Sequence, residues 1–118
     1  MTITINTQSR DFTEVEQYLM TLDRGIRSLK DVEDNTSIAV AGYLTFTDKK
    51  ENGDNVDILS IITPDKEVFS CQSATFKRSF DNITNIMHGK QFSVIKLSGT
   101  TKNGRPYIDC ALDVKSVK

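Results

Sequence analysis

Along the chain, the spacing of apolar residues switches repeatedly between a strand-like and a helix-like period. Residues 2–5, Thr-Ile-Thr-Ile, alternate polar and apolar and fit a short strand or an arm. Thr13 and Glu16 have the Thr-x-x-Glu spacing of a capping box. Val15, Tyr18, Leu19 and Leu22 follow as one apolar face of a short helix, which Gly25 stops. Residues 26–36 read mostly as linker, with Ile26, Leu29 and Val32 spaced for a single apolar-sided turn. A long strand is predicted over 37–47. Its faces are Ile38, Val40, Leu44 and Phe46 on one side and Ala39, Ala41, Tyr43 and Thr45 on the other. Gly42 marks a bend or bulge in it. Beyond the polar loop 48–54, strands are predicted over 55–63 and 67–72, separated by a Pro64-Asp65 turn. Ser73 then serves as an N-cap for a helix with Phe76, Phe80, Ile83 and Met87 as its stripe, Ile86 beside them and Gly89 as C-cap. Strands over 91–100 and 105–114 complete the chain, joined by a two-residue hairpin turn at Asn103-Gly104.

Three strands, a helix and two strands is the order of the OB-fold, a small Greek-key barrel that binds oligonucleotides or oligosaccharides. The predicted class is therefore mostly β with one main helix: a five-stranded OB-fold-like barrel, the helix between strands three and four, and a short N-terminal helical extension. The 118 residues suit one domain, with 1–36 as the extension and 37–114 as the barrel core. A chain of this length buries roughly two-thirds of its unfolded surface, enough for one core without staples.

Composition narrows the function. Two cysteines, Cys71 and Cys110, are too few for a disulfide framework and lack zinc-ligand spacing. Both lie in apolar runs and read as buried free thiols of a cytoplasmic protein. No apolar run approaches the roughly 20 residues needed to span a bilayer, and the N-terminus lacks the basic and apolar regions of an export signal. Acidic residues cluster in loops (Asp31, Glu33 and Asp34; Asp48, Glu51 and Asp54) without the order of a calcium loop, so no metal or cofactor is expected. His88 is the only histidine, and no nucleophile, phosphate-loop or metalloprotease motif is present, so the chain is not expected to be an enzyme.

Charge is unevenly spread. Residues 1–65 hold 12 acidic and 6 basic side chains, and residues 66–118 hold 4 acidic and 9 basic. A fold can turn such a split into one positive face. In the last strand Ile108, Cys110, Leu112 and Val114 take the core face, which turns Arg105 and Tyr107 outward. Tyr43 shares a face with small Ala39 and Ala41, Phe69 is a further ring, and Lys96 lies out of phase with Ile95 and Leu97. Lys102 and Arg105 flank the hairpin turn, Lys49 and Lys50 occupy the 48–54 loop, and Lys77 and Arg78 lie on the main helix. Rings beside cations suit single-stranded nucleic acid. Every base has a face to stack, worth ~1–3 kcal/mol, and cations release counterions from phosphates. The rival reading is a non-catalytic protein-interaction module with the same barrel.

Three runs carry a resemblance: ILSIIT at 58–63, EVFSCQSATFKRSFDNI at 67–83 and LSGTTKNGRPYIDC at 97–110. With FTEVEQYLMTL at 12–22, they resemble a family of short single-stranded DNA-binding proteins of lactococcal phages and related Gram-positive mobile elements. The resemblance implies an OB-fold variant that coats single-stranded DNA in phage replication or recombination inside the host cytoplasm. It also implies self-association as a homo-oligomer. The chain ends Asp113-Val-Lys-Ser-Val-Lys118, without the acidic tip by which housekeeping bacterial relatives recruit partners. Phage or host recombination proteins are then expected to meet the folded surface.

Overall fold

A computed structural model describes residues 2–117. The chain is mostly β, with two helices and two sheets. In order it forms β1 (Thr2–Gln8), α1 (Glu14–Thr21), β2 (Arg27–Ser28), a 3-10 turn (Leu29–Asp31), β3 (Ser37–Val40), β4 (Gly42–Lys49), β5 (Asn55–Ile62), β6 (Val68–Cys71), α2 (Ala74–Met87), β7 (Phe92–Thr100), β8 (Pro106–Leu112) and a second 3-10 turn (Val114–Ser116). One sheet has the strand order β1-β4-β5-β6-β2, the other β3-β7-β8. Among the described residues no ladder joins the two sheets into a closed barrel.

The long strand predicted over 37–47 is two strands, one in each sheet. The break falls at Ala41–Gly42, where the ring of Phe12 packs so closely that a Cβ on Gly42 would lie 2.8 Å from it. β3 pairs with β7, whereas β4 pairs with β5 and, on its other edge, with β1. The bend also changes which residues meet which core. Ile38 and Val40 enter a core shared with Phe76 and Phe80 of α2, and Leu44 and Phe46 enter a second core with Phe12 and Met20.

The central strand of the five-stranded sheet, β5, is thus buried on both faces over its second half. Leu59 and Ile61 of β5 join the α2 core, and Ile58 and Ile62 join the α1 core. Successive strand residues point to opposite faces, so burial of both turns the run ILSII nearly continuously apolar. The α2 core holds the largest buried rings. Phe76 and Phe80 are fully buried, and truncating such a ring to Ala costs ~3–5 kcal/mol.

The N-terminal segment, expected as an extension beside the core, is woven into the sheet. β1 pairs antiparallel with β4, with a bulge between Ile5 and Thr7. β2 runs parallel to β6, and Leu29 and Val32 are buried in the α2 core. Helix α1 has the predicted capping box: the Thr13 hydroxyl accepts from the Glu16 N–H, and the Thr13 N–H donates to the Glu16 carboxylate. Its buried face differs from the predicted one. Glu16 and Met20 face inward, while Val15, Tyr18 and Leu22 are exposed. The Glu16 carboxylate can be buried because it is satisfied three ways. It caps its own helix, receives a bidentate Arg10 at 2.9 and 3.3 Å, and pairs with Lys66 at 3.0 Å. These bonds, Arg10's foremost, hold its pKa well below the usual carboxylate range.

Three hairpin turns share one geometry. In the β7–β8 turn the Gly104 N–H donates to Thr101 O and the Thr101 N–H donates to Arg105 O, both at 2.9 Å. Only Gly104 has positive φ there, at 82°. A two-residue turn at Asn103-Gly104 needs positive φ at both positions, so the predicted turn is corrected to a three-residue loop ending in a left-handed residue. The β4–β5 turn repeats this with Lys50, Gly53 and Asp54, and the β5–β6 turn with Thr63, Lys66 and Glu67. In the last, a lysine at φ 68° stands where the others have glycine.

Candidate nucleic-acid interface

The β7–β8 hairpin carries three exposed residues of the predicted binding set, Lys102, Arg105 and Tyr107. Tyr107 pairs across strands with Gly99. A Cβ on Gly99 would lie 2.5 Å from the Tyr107 hydroxyl and 2.6 Å from Cζ, so the hydroxyl end of the ring packs against the glycine. The residue remains 39% exposed. A larger residue at 99 would lift the ring away from the strand. Lys102 and Arg105 are exposed at the tip and have no ion-pair partner among the described residues. No acidic side chain lies between residues 98 and 108.

Beside this hairpin runs a groove of about 620 Å³. Ser70 to Ser73 form one side, Pro106 to Ile108 another, and Ser28 and Lys30 a third, with Lys96 and Ser98 also contributing. Lys30 and Gln72 are exposed groove residues that face analysis missed, because the segments carrying them read as linker and strand end. Cys71 also borders the groove, but burial pushes its thiol up to about 11, and that of Cys110 to about 12. Neither is a thiolate near neutrality, so the groove holds no activated cysteine nucleophile.

Three predicted contacts are not on an open surface. Tyr43 is half-buried and meets the Phe80 ring edge-on, with centroids 5.0 Å apart and planes at 84°. Beyond the Gly42 bend its face turns toward α2 instead of solvent. Phe69 is 5% exposed in the α2 core, and the Arg27 guanidinium lies over its ring at 5.0 Å. Lys96, expected to face outward, is 3% exposed. The inward phase of β7 is Phe92, Val94 and Lys96, not Ile95 and Leu97. Its ammonium donates to Val32 O at 2.7 Å and pairs with Asp34 at 3.2 Å. Burial of an ammonium is tolerated only with such partners. The Ser98 hydroxyl also donates to Asp34, and these bonds, the Ser98 one foremost, lower the pKa of Asp34.

The remaining cations are dispersed. Lys49 and Lys50 are exposed on the β4–β5 turn, within a stretch that also carries Asp48, Glu51, Asp54 and Asp57. Lys77 is half-buried and donates to Asp57 O at 3.1 Å, and Arg78 is exposed on α2. A second groove, about 600 Å³, is bordered by Asp31, Glu33, Asp65 and Glu67. Its carboxylates disfavour a phosphate chain. No carboxylate lines the first groove, whereas four line the second, together with Arg27.

Among the described residues no cluster of three or more His, Cys, Asp or Glu is placed to hold a metal ion, and no helix is long and apolar enough to cross a membrane. Compared with family models, curated proteins and solved structures, the chain matches none.

Proposed function

We propose that this chain is a sequence-independent single-stranded DNA-binding protein of a phage or related mobile element, acting in DNA replication or recombination. The observation that carries the reading is the β7–β8 hairpin. It offers the exposed ring of Tyr107 beside the cations Lys102 and Arg105, which have no ion-pair partner among the described residues, along a groove of about 620 Å³. Stacking is indifferent to base identity and phosphate contacts to sequence, so this pairing of groups selects single strands without selecting a sequence.

The architecture supports the same reading. Taking β3 and β4 as one bent strand, the order β3/β4, β5, β6, α2, β7, β8 is that of an OB-fold. OB-folds bind along their second and third strands between the first-to-second and fourth-to-fifth loops. Those elements correspond to β5, β6 and the turns at 50–54 and 101–105, and the groove of Tyr107 lies along β6. The runs that resemble phage single-stranded DNA-binding proteins lie in these elements and in α2. Self-association, recombination proteins as partners and the host cytoplasm as the site of action belong to the same proposal.

A protein-interaction module is the second reading, and one observation favours it: Val15, Tyr18 and Leu22 are each more than half exposed on α1. The two separate in a titration of fluorescein-labelled oligo-dT followed by anisotropy at several salt concentrations. DNA binding gives an affinity that falls linearly in log–log form as salt rises. No binding, or binding indifferent to salt, contradicts it and leaves the interaction module.

A further inference from the structure

We propose that Lys30, on the segment before β3, contacts a backbone phosphate of the strand in the groove, and that the Asp34–Lys96–Ser98 contacts position the segment carrying it. The inference rests on the single-stranded DNA reading and extends the interface to an element outside the OB-type core.

Lys30 has the attributes of a phosphate contact. It is exposed, borders the groove that Tyr107 borders, and has no ion-pair partner among the described residues. Its neighbours fix its backbone. Leu29 is fully buried in the α2 core, Val32 is 6% exposed, and Ser28 is paired with Ser70 of β6. The lysine therefore stands on a short turn anchored on both sides, which lowers the entropy lost when it takes hold of a ligand.

Beyond the turn, residues 32–36 have no regular structure, yet they are tied to β7 by five bonds. The Lys96 ammonium donates to Val32 O and Asp34, the Ser98 hydroxyl donates to Asp34 at 2.6 Å, the Asn35 N–H donates to Lys96 O at 2.8 Å, and the Lys96 N–H donates to Thr36 O at 3.0 Å. An apolar residue at 96 would continue the Phe92–Val94 stripe without the desolvation cost of an ammonium. What lysine adds is a specific tether for this segment. It also engages the Asp34 carboxylate, which the Ser98 hydroxyl bonds as well. Lys96 and Asp34 are thus positioning residues, and Lys30 is the contact.

The test is the oligo-dT titration across roughly 50 to 200 mM salt with the full chain and its variants. Lys30→Ala is expected to weaken binding at low salt and to reduce the slope of log affinity against log salt by about 0.7, the value for one phosphate on a single strand. Lys30→Arg is expected to restore the slope. Asp34→Asn is expected to weaken binding in the wild-type background and to add nothing in the Lys30→Ala background. Ser98→Ala, which removes one bond and no charge, serves where Asp34→Asn folds poorly. Wild-type binding with an unchanged slope in Lys30→Ala overturns this inference alone. Tighter binding by Asp34→Asn, the outcome of simply deleting a negative charge, or equal losses in both backgrounds overturns the positioning role. Failure of the wild-type chain to bind oligo-dT overturns the underlying reading as well.

Discussion

The β4–β5 and β7–β8 turns have the same backbone and different chemistry. Both close with an N–H of a left-handed glycine donating three residues back, and both carry Asn-Gly and two cations nearby. At the first, Lys49 and Lys50 share their stretch with four carboxylates; at the second, Lys102 and Arg105 share theirs with none. The first places its Asn52 side chain against Asp54, tying the tip to its own acid. The second stands next to an open ring. Turn geometry is thus a scaffold requirement that both hairpins meet, and function, on this account, lies in the charge balance and the neighbouring aromatic.

Replacing the ring should have the largest effect on that contrast. Tyr107→Ala is expected to lose ~1–3 kcal/mol of binding, about 5- to 140-fold in affinity for oligo-dT. Circular dichroism should show the fold retained, because the side chain is partly open to solvent. Gly99→Ala should fall between this variant and wild type, since it displaces the ring without removing it.

The cations come next. Lys102→Ala with Arg105→Ala is expected to reduce the salt slope by about 1.4, two phosphate contacts at ~0.7 each. Lys49→Ala with Lys50→Ala should change it much less. Equal effects from the two pairs would erase the distinction between the hairpins.

The third hairpin sharpens the point about scaffold. Lys66 occupies the left-handed position where the other turns have glycine, and its ammonium reaches Glu16 at 3.0 Å. Left-handed backbone costs a non-glycine residue ~1–2 kcal/mol, and the contact with α1 offsets part of it. Lys66→Ala keeps the strain and loses the contact, so thermal denaturation should place it about 1 kcal/mol below Lys66→Gly. Stability equal in the two variants would show that the turn is not strained.

Acid should reveal the same anchor. Glu16 has its pKa depressed in the folded chain, so its contribution is complete above the unfolded value of about 4.3 and is lost progressively as pH falls from there through the lower folded value. Urea denaturation at pH 6 and pH 3 should show a smaller drop for Glu16→Gln than for wild type. An identical drop would mean that other carboxylates govern acid sensitivity.

Much of this fold is legible in the sequence where a single period or cap governs. Ser73 accepts from the Phe76 N–H and opens α2 as predicted, and Phe76, Phe80 and Met87 are buried as their spacing requires. The outward placement of Tyr107 follows from the alternation in β8. Misreadings arise where a residue answers to long-range partners. Nothing local marks Lys96 as inward, because its acceptors lie more than sixty residues away on Val32 and Asp34. Glu16 disguises the buried face of α1 in the same way. A uniform alternation puts Tyr43 on an open face, but the strand changes sheets at Gly42 and the ring turns toward α2. Lys30 is invisible to periodicity, since only the parallel pairing of β2 with β6 brings its turn to the groove.

The central claim is that an unpaired base lies on the open face of Tyr107. Photo-crosslinking with an oligo-dT in which one thymine is replaced by 5-iodouracil, followed by peptide mass spectrometry, tests it most directly. The account predicts a crosslink at Tyr107, lost in Tyr107→Ala. Crosslinks confined to α2 or to the β4–β5 turn, with Tyr107 unmodified, would contradict it.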